Sequence, residues 1–308
     1  MSAPEMTLQR AGAESSQLIR AGRAPQSTWR IAARAYFNTR LAPFGLVLVI
    51  IAILMAILAP FVSPYDPNFG DFSSVLAKPS RDHWLGTDEL GRDILSRLLY
   101  GSLVSLQVGI GATLLTTLIG IVVGISTGYF GGWIDEVMMR VTDGMLAFPS
   151  LILALAIAAV FEPSITSILL AIAIVSFSTM ARLARASTLV VREQEYVEAA
   201  RASGASTSRL IFVHILPNSL SPVIVQFALV ASYGILAEAS LSFLGVGVRP
   251  PQASWGGMLQ TGYQYLEIAP WLSIVPGVTI FLTVLGFNLV GDGLRAAFNP
   301  RLREGGGA

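Results

Sequence analysis

Six stretches of this chain stay apolar for long enough to cross a bilayer, and polar segments of unequal length separate them. They run over about 41–62, 103–127, 141–161, 165–181, 220–239 and 271–290, the fourth being the shortest. About 20 apolar residues in a helix cover the roughly 30 Å of hydrocarbon. The pattern therefore predicts an all-α membrane protein with six transmembrane helices. The first run exceeds the roughly 7–15 apolar residues of a cleaved signal, so it reads as a retained span. Residues 1–40 are predicted to be a cytoplasmic tail, without fixed structure as far as Trp29, and 41–102 the first span with an extracytoplasmic segment. A five-helix core follows over 103–300, with a long cytoplasmic loop at 182–219, and 301–308 form a second tail. Gly120, Gly124 and Gly128 fall four apart on the second span, which puts three small residues on one face and predicts a close helix–helix contact. Pro43, Pro60, Pro149, Pro270 and Pro276 mark span ends or kinks.

Charge orients the spans. Of 20 Lys and Arg, 15 fall in 1–40, 128–140, 182–219 and 291–308, and the remaining five are Lys78, Arg81, Arg92, Arg97 and Arg249. The positive-inside rule then predicts both termini in the cytoplasm. Composition agrees with the class: 53% of residues are hydrophobic and 13% charged, against about 25% charged in a soluble domain.

Several functions are disfavoured. There is no cysteine, hence no disulfide, thiolate metal site or cysteine nucleophile. There is no basic block interleaved with aromatics, so nucleic acid is not an expected partner. The two histidines, His83 and His214, fall on opposite predicted sides, and no zinc-protease or nucleophile-elbow motif occurs. The single lysine, Lys78, lies between Ala77 and Pro79, so no P-loop can form and any ATP motor must be a separate chain. An ion-coupled transporter would want an ionisable group at mid-membrane. Glu238 is the main candidate, while Asp143 and Asp292 sit near span ends. Glu238 also reads as a paired group near the outer end of the fifth span, and no inverted repeat is evident.

The segment richest in signals is the long cytoplasmic loop. Residues 193–203 predict a short helix with Tyr196, Ala199, Ala200 and Ser203 on one mildly apolar face. Glu193, Glu195 and Glu198 complement its dipole early on. Gly204 is placed to stop it with a left-handed cap, and Pro217 to open the next helix. These residues alone read equally well as an ordinary surface helix linking two spans. Glu198-Ala-Ala200, Gly204 and the Ile-Leu-Pro stretch ending at Pro217 resemble the cytoplasmic EAA loop of binding-protein-dependent ABC importers. His214 stands where the usual pattern has an aliphatic residue, and in the peptide branch histidine is expected there. His83-Trp-Leu-Gly86-Thr87-Asp88, Gly91-Arg92-Asp93 and Leu95-Ser-Arg97 resemble the external segment of the C-type permease of dipeptide, oligopeptide and nickel importers. So do Ala239 to Gly247, Pro250-Pro251 with Trp255-Gly256, and Phe287-Asn288 with Gly291 to Arg295.

The resemblance implies a type I (MetI-like) permease fold in the bacterial inner membrane. It implies an assembly with a second related permease subunit, two ABC ATPase subunits and an extracytoplasmic solute-binding protein. ATP and magnesium would sit on the ATPase subunits, with no cofactor on this chain. The cargo would be a di- or oligopeptide, with nickel or another small solute second. Tyr196, Glu198, Ala199, Ala200, Gly204, Leu216 and Pro217 would couple this chain to the ATPase. Gly86, Thr87, Asp88, Gly91, Arg92 and Asp93 would form the extracytoplasmic motif. Physically, Thr87 or Asp88 would cap a short helix carrying Ile94, Leu95, Leu98 and Leu99 on the outer membrane surface, either as a lid on the bundle or as a docking surface.

Overall fold

A computed structural model describes residues 28–298, so the predicted disorder before Trp29 falls almost wholly outside the described residues, as does the tail at 301–308. Besides one 3-10 turn at Phe72–Ser74, ten longer helices are formed among the described residues: α1 Thr28–Asn38, α2 Ala42–Val62, α3 Ile94–Phe130, α4 Gly132–Leu146, α5 Ser150–Val160, α6 Ile165–Arg192, α7 Glu195–Ala202, α8 Thr207–Phe243, α9 Trp255–Gln264 and α10 Trp271–Phe298. Five of them (α2, α3, α6, α8 and α10) are each long and apolar enough to span a membrane. Only two isolated β-bridges occur among the described residues.

The third predicted span is not one helix. The predicted run over 141–161 is broken into α4 and α5, which meet at 96°. Pro149 is the cause: it disfavours helical backbone at Phe148 and so ends α4 within a residue or two. At about 16 Å, α5 is too short to cross the hydrocarbon alone.

Two predicted loops are also shorter than their polarity implied. α6 continues to Arg192 and α8 begins at Thr207, so most of 182–219 is helical extension. The arginines on the α6 part of that extension are paired: Arg185 Nε and Nη2 donate to Asp135 of α4 at 2.5 and 2.6 Å, and Arg182 pairs with Asp143. α3 likewise begins at Ile94 and runs 37 residues, about 55 Å. Ile94, Leu98 and Leu99 are therefore buried residues of a span, the first two in one cluster with Trp255, rather than the stripe of a separate surface helix. Asp93 is its N-cap and accepts from the Ser96 amide, a role the sequence reading gave to Thr87 or Asp88. α1 lies inside the predicted tail. Its Tyr36 is buried with Ala32 against Ala297 and donates to the Ala42 carbonyl at 3.2 Å.

The bundle is built on close backbone contact. Gly120, Gly124 and Gly128 of α3 face Met180, Ala181, Ala184 and Thr188 of α6, as their spacing predicted. A Cβ at Gly124 would stand 2.5 Å from both the Ala181 carbonyl oxygen and Ala184 Cβ. One apolar core joins α2, α3, α8, α9 and α10 around Trp255, Ile235 and Phe287. A second joins α3, α5, α6 and α8 around Val108, Ile168 and Leu241.

Candidate functional site

Between α6 and α8, α7 stands at the end of the bundle opposite the 63–93 segment. It has eight residues, too few to hold a helix in water unaided, so it must be supported. Val197 supplies the support: it is fully buried in a small cluster with Leu210, Ile215, Tyr129 and Val191. Ala200, one turn on, turns partly into the same cluster. The predicted face of Tyr196, Ala199, Ala200 and Ser203 is thus split. Tyr196, Glu198 and Ala199 point outward and are exposed, while Ala200 helps Val197 seat the helix.

Gly204 stops the helix in the manner expected. Its φ is +81°, a conformation that L side chains rarely adopt. The Gly204 amide donates to the Arg201 carbonyl at 3.0 Å and the Ala205 amide to Ala200 at 3.1 Å. These two bonds are a Schellman cap, and Ala205 packs in the same cluster as Ala200. No heavy atom lies within 4 Å of where a Gly204 Cβ would be, so glycine serves backbone conformation here and not space.

Leu216 and Pro217 open the α-helical part of α8, Leu216–Phe243, as expected, but the chain is already helical before them. They lie within α8, just after one wide π-type turn at Leu210–Ile215. The wide turn lies where the proline ring would otherwise meet the Val213 carbonyl. His214 sits in it, its ring 6.5 Å from that of Tyr196, and its carbonyl accepts from Asn218 at 2.6 Å. Tyr196, Ala200, His214 and the start of α8 are thereby brought to one place.

Two contributors were not legible as site residues. In the sequence the alanines dominate the apparent stripe and mask Val197, whose spacing with Ala200 and Gly204 is the available signal. Arg192, the last residue of α6, donates to the carbonyls of Gly128 and Tyr129 at 3.0 and 3.2 Å, tying α6 to the C-terminus of α3.

At the other end, Gly86, Thr87, Asp88, Gly91, Arg92 and Asp93 fold into one knot over the start of α3. Asp88 accepts from the Leu90 and Arg92 amides, both at 2.9 Å, and pairs with Arg92 Nε at 2.7 Å and Arg97 Nε at 3.4 Å. Asp93 receives Ser96 Oγ at 2.7 Å and lies 2.9 Å from His83 Nδ1. Thr87 Oγ1 bonds the Ser74 carbonyl and accepts from the Ala77 amide at 2.8 Å. Gly86 and Gly91 have φ of +83° and +74° and abut the backbone of Ala77 and Asp71. Asp71 accepts from the Ser73 hydroxyl and amide, which hold its carboxyl below the usual range. Thr87, Asp88, Arg92 and Asp93 are buried, so their polar groups are spent on the knot itself.

Glu238 is also fully buried, on α8, and accepts from Ser242 Oγ at 2.8 Å. Ser254, the N-cap of α9, and Ser105, which receives the Trp255 amide at 3.2 Å, stand nearby on α9 and α3. Among the described residues the carboxyl makes one hydrogen bond, to a residue of its own helix, and its second oxygen has no partner.

Sequence comparison gives this geometry a context. Residues 120–304 match the family described as binding-protein-dependent transport system inner membrane component. Residues 27–79 match the N-terminal TM domain of oligopeptide transport permease C. The chain is 44% identical over 278 residues to the dipeptide transport system permease protein DppC of Alkalihalophilus pseudofirmus, covering 90% of this chain and 91% of that one. It is 39% identical over 301 residues to the oligopeptide transport system permease protein OppC of Bacillus subtilis, covering 98% and 99%. The glutathione transport system permease protein GsiD of Pectobacterium atrosepticum is 41% identical over 280 residues, covering 91% and 93%. Among solved structures, a chain of the inward-facing MetNI methionine ABC transporter superposes with a TM-score of 0.53 at 18% identity, over 66% of this chain and 96% of that one. That likeness concerns the fold.

Proposed function

Since this chain belongs to the family of binding-protein-dependent transport system inner membrane components, we propose that it is a membrane subunit of a peptide importer that couples to its ATPase through α7. The relatives named above, for dipeptide, oligopeptide and glutathione transport, support a peptide as cargo. ATP and magnesium bind to separate ATPase subunits, a second permease completes the pore, and an extracytoplasmic binding protein delivers the solute. The single lysine of the chain, outside any P-loop context, supports placing ATP hydrolysis elsewhere. The bias of basic residues toward one side supports cytoplasmic termini, which puts α7 inside.

One observation carries the coupling role. A helix too short to stand alone is seated by a buried valine, closed by a Schellman cap and left with Tyr196, Glu198 and Ala199 facing outward. It lies between the ends of two long rigid spans, so a push on α7 reaches α6 and α8 directly. Closure of the ATPase dimer would draw the α7 helices of the two permeases together and switch the bundle between its two packings.

Glu198→Lys puts a cation in the first turn of α7, against the helix dipole and on the exposed face. It should reduce copurification of the ATPase subunits with the permease while membrane insertion is retained. Gly204→Val forces a β-branched residue to φ +81° and should lower transport per ATP hydrolysed, again without loss of insertion. Wild-type copurification and transport in both variants would refute the coupling role.

A further inference from the structure

A cavity of about 380 Å³ opens between the α4–α5 bend, α6 and α8. We propose that it is this subunit's wall of the solute pathway and that it holds a passing peptide by its backbone amides, an inference that rests on the importer reading above. Its volume falls in the range of small-molecule sites, about 300–1,000 Å³. It lies within the spanning part of the bundle, with Ser176 and Thr179 in the middle of α6 and Gln226 and Tyr233 in the middle of α8.

Two of its polar groups lack partners. Ser176 is 8% exposed, and its Oγ makes no hydrogen bond among the described residues. The hydroxyl of Tyr233 is buried and equally unpaired. Unpaired hydroxyls occur elsewhere in the bundle, as at Thr117 and Thr188, but these two belong to residues that line one space large enough for a ligand. A buried polar group without a partner is costly, and more so where no bulk water reaches. A transient partner from outside the fold accounts for keeping both.

The lining identifies the chemistry of that partner. None of its eleven residues is charged. It offers no counter-ion to a terminus or an ionic side chain, and no carboxylate, imidazole or thiolate to a metal ion. Hydroxyls can donate and accept, and the Gln226 carboxamide does both. A peptide unit presents one donor and one acceptor, so this wall matches the group that all peptides share. The remaining surface is apolar and includes Met145, whose flexible thioether adapts to varied side chains. The wall would therefore grip any peptide weakly and none selectively.

The chain has no cysteine, so single cysteines can be read without background. Ser176→Cys and Tyr233→Cys would be assembled with the second permease, the ATPase subunits and the binding protein in liposomes and treated with a hydrophilic methanethiosulfonate. Glu136→Cys, at an exposed polar position of α4 outside the predicted spans, is the control. Both cavity cysteines should react in the resting complex, and a tripeptide-loaded binding protein with ATP should slow that reaction but not the control's. In addition, the double variant Ser176→Ala/Tyr233→Phe should lower peptide transported per ATP by about tenfold, the loss of two hydrogen bonds. Its half-saturation by the loaded binding protein should stay unchanged. No labelling in any state, as when a helix of the second permease fills the cavity, would overturn the assignment. So would labelling or coupling that peptide and mutation leave unaltered while ATP hydrolysis is still stimulated. Absence of that stimulation in the unmutated complex would instead overturn the importer reading, and this inference with it.

Discussion

Val197→Ala separates the seating of α7 from everything else in the molecule. Val197 is fully buried among Leu210, Ile215, Tyr129 and Val191, and no other residue of α7 is buried. The substitution deletes two methyl groups, worth about 0.8 kcal/mol each, and leaves a small void, for a total of about 2 kcal/mol. The helix and its cap form a local unit at the surface, so this loss should fall on the local opening of 195–205 and not on the bundle. Amide hydrogens in that segment should exchange about 30-fold faster, while those of α3 and α6 keep their wild-type rates. Hydrogen exchange with mass spectrometry on the purified complex reads both regions in one experiment. Transport per ATP should fall with it, because a loosened handle transmits less displacement. Unchanged exchange over 195–205, or a uniform rise across all helices, would refute the claim that Val197 seats this element.

Three further substitutions test the frame around the sites. Gly124→Leu drives a branched side chain into Ala181 and Ala184 and should cost about 3 kcal/mol or prevent assembly, read as thermal stability in detergent; a wild-type melting temperature would contradict the α3–α6 contact. Asp88→Asn leaves the buried Arg92 and Arg97 guanidinium groups without their shared carboxylate. It should destabilise the 63–93 knot by about 3 kcal/mol, seen as rapid proteolysis there, and resistance equal to wild type would contradict the role given to Asp88. Asp135→Arg should weaken the α4–α6 contact by about 1–2 kcal/mol, with recovery in the Asp135→Arg/Arg185→Asp exchange; failure of the exchange to recover stability would count against the pair.

What the sequence disclosed follows from the kind of interaction involved. Spans are visible because burial in hydrocarbon demands long apolar runs, and the Gly120–Gly124–Gly128 face because small residues at a fixed period admit only close packing. The cap at Gly204 was legible because a left-handed residue leaves a residue-type signature. Helix ends beyond the membrane were not. α6 extends through charged sequence because Arg182 and Arg185 meet carboxylates on α4, partners distant in sequence. The bend between α4 and α5 was half visible, since Pro149 marks the break but the apolar run conceals it. The start of α3 read as a separate surface helix because the polar residues around it hid how fully they bond one another. Val197 stayed hidden because the stripe was assigned to the alanines, and only the fold shows which face turns inward.

The central claim is that α7 is the handle on which a separate motor pulls. With no native cysteine, Ala199→Cys places a single thiol on its exposed face, and a short thiol-directed photo-crosslinker on that residue tests contact directly in the assembled complex. The account predicts a crosslink to the ATPase subunit whose yield changes between the nucleotide-free and ATP-bound states. Crosslinking only to lipid or to the second permease, in a complex that still transports peptide, would contradict it.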